Sequence, residues 1–113
     1  MSILKAEGMT GGATWPDDEP AELRQSLRRS NGATEDWGPG AIAATVRDAL
    51  PREAVATVDS GAHRIVLSQV YQCFEPRSLL QSMGLCTMGC ARPLAIGSKI
   101  ADPARPVVAF TGD

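Results

Sequence analysis

Histidine is almost missing from this chain, with His63 alone, and cysteine is scarce and odd in number: Cys73, Cys86 and Cys90. An odd set of thiols argues against a disulfide framework. With His63 the three cysteines would make up a Cys3His zinc set. However, Thr87-Met88-Gly89 between Cys86 and Cys90 reads as part of another motif, so Cys73 and Cys90 are expected to be small core residues. Aromatic residues are few: Trp15, Trp37, Tyr71, Phe74 and Phe110. None is interleaved with a basic patch, and the net charge of -2 gives no electrostatic reason to expect nucleic acid or an anionic membrane as partner. No apolar run approaches the roughly 20 residues that span a bilayer. A basic segment leading into an apolar one is also lacking at the N-terminus, so a cytoplasmic location is expected.

What is present is ordinary for one small α/β domain: 113 residues, 43% hydrophobic and 21% charged. Residues 1–14 are polar and glycine-rich without a period, as in a linker. Leu23 and Leu27 stand one turn apart in a helix expected over 21–29, with acids before its start and arginines at its end. A second helix is expected over 41–50. Its apolar face would be Ile42, Val46 and Ala49 or Leu50, with Arg47 and Asp48 on the other side, and Pro51 would stop it. Ala54-Val55-Ala56-Thr57-Val58 is the first strand. The turn Asp59-Ser60-Gly61-Ala62-His63 leads into a helix over about 63–71 carrying Ile65, Val66 and Val70. Residues 78–82 are expected to be irregular or strand-like.

The most informative stretch runs from Gly84 to Asp113. Its helix should start near Pro93, which cannot sit deep in a regular helix, and end at Asp102-Pro103. Gly89, Ala91, Ala95, Gly97 and Ser98 would let the backbone approach a sheet, while Leu94, Ile96 and Ile100 supply apolar area. Val107-Val108-Ala109-Phe110 reads as a parallel strand covered on both faces. Gly112-Asp113 follows at its carboxyl end, where open α/β sheets gather ligands and where a carboxylate suits a cation or a ligand hydroxyl. The alternation of elements predicts a parallel crossover with both strands ending at one edge. At that edge Ser60, Gly61, Ala62 and His63 form a strand–turn–helix anion site, with His63 as a possible imidazole donor. Without a full Gly-x-Gly-x-x-Gly fingerprint the pattern alone reads more often as a structural, hydrogen-bonded histidine.

Thr87-Met88-Gly89, followed by Pro93, Ala95-Ile96-Gly97, Ala101, Pro103 and a strand ending in Gly112-Asp113, resembles the pyrophosphate domain of thiamine diphosphate enzymes of the acetohydroxyacid synthase group. Those sequences read Gly-Leu-Gly-Thr-Met-Gly, then Leu-Pro-Ala-Ala-Ile-Gly, then a strand into Gly-Asp-Gly. The resemblance includes Asp59-Ser60-Gly61-Ala62-His63 and covers about 37–113, with a weaker match over 15–29. It implies an α/β fold, a partial thiamine diphosphate-binding fold of parallel strands and flanking helices. Residues 1–36 would be a linker and short helix, and 37–113 the pyrophosphate domain, cut short.

By the same resemblance, Ser60, Gly61, Ala62 and His63 would hold the cofactor's diphosphate. The Cys86 carbonyl would accept the aminopyrimidine amino group, and Met88 would wedge under the cofactor. Gly112 would border the site, and Asp113 would bind the Mg2+ that bridges the diphosphate. Three positions depart from the pattern: Ala62 stands for Gln, Cys86 for Gly and Arg92 for Leu. The family's other magnesium ligands, and the activating Glu of a separate domain across a dimer interface, match nothing among these residues, so no catalytic residue is assigned. The expectation is a fragment of an acetolactate synthase-like enzyme, inactive alone. Its homo-oligomeric parent, a lyase or transferase, would decarboxylate a 2-oxo acid and pass on the carbon unit. The alternatives are a non-catalytic remnant or assembly module docking on a full-length partner, and a small phosphate or nucleotide binder. An open edge near Val107–Phe110 is expected to promote association.

Overall fold

A computed structural model describes residues 18–112. The reading of residues 1–14, the Trp15-Pro16 lead-in and Asp113 lie outside the described residues. The fold is built around β1 (Val55–Val58), whose four residues are all buried. α1 (Glu19–Ser30) and α2 (Pro39–Ala49) precede it, and α3 (Ala62–Val70), β2 (Leu79–Gln81), α4 (Ala91–Ala101) and β3 (Val107–Phe110) follow. The strands form a parallel sheet in the order β2-β1-β3, with Ala56 opposite Leu79 on one side and Val108 on the other. Past the end of β1, the Asp59 amide still donates to the Phe110 carbonyl at 3.0 Å.

The two crossovers run in opposite directions across the sheet, from β1 out to β2 and from β2 back past β1 to β3. Right-handed connections therefore put α3 and α4 on opposite faces. Alternation along β1 serves both. Ala56 and Val58 join Ala43, Ala44, Leu67, Val70 and Tyr71 in the core under α2 and α3. Thr57 points the other way and donates its buried hydroxyl to the Ala91 carbonyl of α4 at 2.7 Å.

Several expectations hold. Pro39 opens α2, and Pro93 sits in the first turn of α4, where its missing amide has no intrahelical partner to lose. The segment at 78–82 does contain a strand, a third member of the sheet. The α2 face is corrected: Ala43, Ala44 and Arg47 turn inward, while Ile42 is exposed. Gly40 allows this docking, because a Cβ there would collide with the Asn31 carbonyl.

Arg47 is only 3% exposed. Its guanidinium donates to the Tyr71 hydroxyl at 3.2 Å and to the carbonyls of Leu50 and Pro51, and it lies about 5 Å from the Tyr71 and Phe74 rings. Carbonyls at a helix C-terminus and two π faces thus replace a counter-ion. Burial pushes the Tyr71 phenol above its ordinary value, against the lowering effect of Arg47.

On α3, Leu67 and Val70 face the core and Ile65 faces solvent. On α4, Ala91 is the buried residue, Leu94, Ala95 and Ser98 are half-buried, and Ile96, Gly97 and Ile100 point outward. Gly97 therefore makes no close approach to the sheet. β3 is an edge strand rather than a covered one, with Ala109 exposed. Cys73 is exposed and Cys90 half-buried, so neither is the core residue expected. α1 buries none of its residues and is tied on through Asn31, whose side-chain amide donates to Gln69 Oε1 at 3.3 Å.

Candidate functional site

The carboxyl ends of β1 and β3 meet at one edge, and the turn after β1 is organised by Asp59. This buried carboxylate accepts the Ser60 amide at 3.0 Å and the Cys90 amide at 3.1 Å through one oxygen, Oδ1. Gly61 then takes φ +152°, and its hydrogen faces the His63 ring. A Cβ would stand 2.8 Å from ring atoms Cε1 and Nδ1, so only glycine fits. His63 is held in turn beside Gly112, where a Cβ would lie 3.5 Å from Cε1. Its Nε2 is buried with no hydrogen-bond partner among the described residues. The first turn of α3 has no side-chain cap, leaving backbone amides and the positive end of the helix dipole facing the edge.

The second wall of the site is the loop from Ser82 to Cys90. Cys86 takes φ +49°, a left-handed conformation that suits the glycine it stands for in the resemblance. Its carbonyl accepts the Ser60 hydroxyl at 2.5 Å, and its Sγ lies 2.9 Å from Arg64 Nη1. Thr87 donates its amide to Ser82 Oγ at 3.2 Å. Met88 is 78% exposed and so serves no packing role. Arg92 is exposed in the first turn of α4, so its charge is solvated and does not loosen the helix packing. A cavity of about 390 Å³ adjoins His63, walled by Pro39, Ile42, Leu67 and Phe110.

The structure thus brings together Ser60, Gly61, His63, Cys86 and Gly112. Ala62 is the first residue of α3, Met88 reaches into solvent beyond the cluster, and Asp113 lies outside the described residues. Sequence reasoning missed two residues. Asp59 was legible as an acid at a strand end, but its partner Cys90 is 31 positions away. Arg64 could have been found as the residue one turn before Ser68 on the same side of the expected helix.

Comparison with known proteins matches residues 59–113 to the family described as thiamine pyrophosphate enzyme, C-terminal TPP binding domain. Acetolactate synthase of Bacillus subtilis is 32% identical over 98 residues, 82% of this chain and 17% of that relative. The isozyme 1 large subunit of Escherichia coli acetolactate synthase is 44% identical over 73 residues, 65% of this chain and 12% of the relative. Its isozyme 3 counterpart is 34% identical over 99 residues, 88% of this chain and 17% of the relative. The chain belongs to the thiamine diphosphate-dependent enzymes.

Residues 59–113 match that family's C-terminal TPP binding domain, and the chain spans less than a fifth of the length of these relatives. The His63 Nε2, without a partner among the described residues, and the uncapped amides of α3 are polar groups that a diphosphate could satisfy. Among the described residues no group of three or more His, Cys, Asp or Glu could hold a metal ion. Among them, no helix is long and apolar enough to cross a membrane.

Proposed function

We propose that this chain supplies the diphosphate- and aminopyrimidine-holding side of a thiamine diphosphate site in an acetolactate synthase-like enzyme. The complete enzyme would act on 2-oxo acids by decarboxylation and carboligation. The observation that carries this reading is the meeting of His63, the open N-terminus of α3 and the Cys86 carbonyl at one sheet edge. Bound there, the cofactor would supply the electron sink for cleaving the carbon–carbon bond next to a carbonyl.

The amides of Gly61, Ala62 and His63 would neutralise diphosphate oxygens, with the His63 imidazole adding a donor. The Cys86 carbonyl has a second lone pair beside the Ser60 hydroxyl, enough to accept an amino group. Met88, long, apolar and uncommitted, would pack beneath the ring system. Asp113 would meet the diphosphate through Mg2+, an oxygen-seeking cation, with Gly112 bordering the cofactor. None of the 113 residues is assigned to proton abstraction, so turnover would need a Glu from elsewhere, in an oligomer, and these residues alone would be inactive.

Calorimetric titration with thiamine diphosphate and Mg2+ tests the reading. We expect magnesium-dependent binding that ADP does not compete away and that His63→Ala weakens by about tenfold, the loss of one charge-assisted hydrogen bond. Equal competition by ADP would instead favour a general phosphate site.

An assembly role is the second reading, favoured by the exposure of Met83, Leu85, Ile96 and Ile100. It predicts capture by an acetolactate synthase large subunit without any cofactor requirement.

A further inference from the structure

We infer that Arg64 is a positioning residue that locks the loop bearing Cys86 and Met88 onto α3. Its guanidinium touches three residues of one segment. Nε donates to Gln81 Oε1 at 3.0 Å, Nη1 lies 2.9 Å from Cys86 Sγ, and Nη2 lies 3.5 Å from Met83 Sδ. Two neighbouring hydroxyls meet the same segment: Ser60, in the turn before α3, donates to the Cys86 carbonyl, and Ser68, one turn along α3, donates to Gln81 Oε1 at 3.3 Å. Arg64 and Ser68 are spaced by four on α3 and so share one side of the helix, and Ser60 reaches the same segment from the turn that leads into it. This polar row meets a short strand and the loop that leaves it.

The lock matters because apolar packing does little to hold the loop. Met83, Leu85, Cys86, Thr87 and Met88 are all exposed, so few buried contacts oppose its opening. Cys86 also stands in a left-handed conformation that a non-glycine residue adopts at a cost. The Cβ that incurs this cost carries the thiol that Arg64 grips. Arg64 and Cys86 therefore work as a pair: the side chain absent from a glycine-bearing loop gives the guanidinium its handle. A lysine would not replace it, since a single ammonium lacks the flat fork that reaches Gln81, Met83 and Cys86 together.

The consequence for cofactor binding rests on the function proposed above, but the lock does not. Hydrogen–deuterium exchange on the whole chain without cofactor tests it directly. In Arg64→Ala the amides of residues 82–88 should exchange about tenfold faster, with β1 and the core side of α3 unchanged, and Arg64→Lys should recover less than half of that difference. Cys86→Ala should speed exchange likewise, and adding Arg64→Ala to it should cost less than Arg64→Ala does alone. Unchanged exchange in 82–88, full rescue by lysine, or additive single effects would each overturn the inference.

A second arm adds Mg2+ and thiamine diphosphate. Slowed exchange at 82–88 in the wild-type chain, lost in Arg64→Ala, links the lock to the cofactor. Absence of any slowing in the wild type counts against the proposed function, while the cofactor-free arm still decides the role of Arg64.

Discussion

Arg47 and Tyr71 show how one residue can defeat a pattern. On a helical wheel Arg47 belongs to the polar side, yet it is buried with its terminal nitrogens Nη1 and Nη2 meeting two carbonyls and a phenol while its plane lies near two rings. Tyr71 pays for this neighbourhood in its titration, with burial raising its pKa above the usual value near 10. The folded state therefore holds the proton more tightly than the unfolded chain. The associated stability is complete below about pH 10 and is lost as pH rises through the folded value. Urea unfolding midpoints measured from pH 7 to pH 11 should fall at the alkaline end for the wild type. Tyr71→Phe should lack this component and, at neutral pH, lose about 1 kcal/mol by leaving Arg47 Nη1 without its acceptor. An alkaline fall of equal size in both proteins would rule out Tyr71 as its source.

At the scale of elements, α4 is fastened to the sheet by polar stitches more than by a broad apolar face. Only Ala91 is fully buried on it, while the Thr57 hydroxyl and the Asp59 carboxylate grip its first turn from β1. Thr57→Val keeps the shape of the side chain but removes the buried hydrogen bond from its hydroxyl to the Ala91 carbonyl. This should destabilise the chain by about 1 kcal/mol, read from the shift of a urea midpoint at constant slope. Thr57→Ser, which retains the hydroxyl, should lose less. A valine variant as stable as the wild type would show that this hydroxyl contributes nothing to holding α4.

The first turn of α4 bears on the site because Cys90 ends the loop that carries Cys86 and Met88. The same stitches that hold the helix therefore hold one end of that loop, and Arg64 holds the other. This explains how a largely exposed loop can keep a defined path.

For the molecule as a whole, a three-stranded sheet with one helix on one face and two on the other leaves apolar surface in view. Ile96 is 61% exposed and Ile100 is 75% exposed, on the outward side of α4, and β3 offers an open edge. Such surface favours association. Sedimentation velocity over a concentration series should show species heavier than the 11.9 kDa chain. The double variant Ile96→Lys and Ile100→Lys should shift the distribution towards the monomer with little change in melting temperature, because neither side chain is in the core. Unchanged association would move attention from α4 to the β3 edge.

Much of this was legible from the chain. Local pattern determined the helices, the continuous apolar run of β1, the turn at 59–63 and the membership of a cofactor-binding family, because these depend on residues a few positions apart and on motifs in order. Even so, periodicity misjudged which side of α2 and α4 faces inward: small residues pack closest to a sheet, while larger ones such as Ile42, Ile96 and Ile100 were left outside. Tertiary structure alone decided the pairing of Arg64 with Cys86, 22 positions apart, of Asp59 with Cys90, 31 apart, and of Thr57 with Ala91, 34 apart. Those contacts exist only once the crossovers have closed and brought distant donors and acceptors within reach, a step fixed by the handedness and packing of whole elements rather than by any short stretch of sequence.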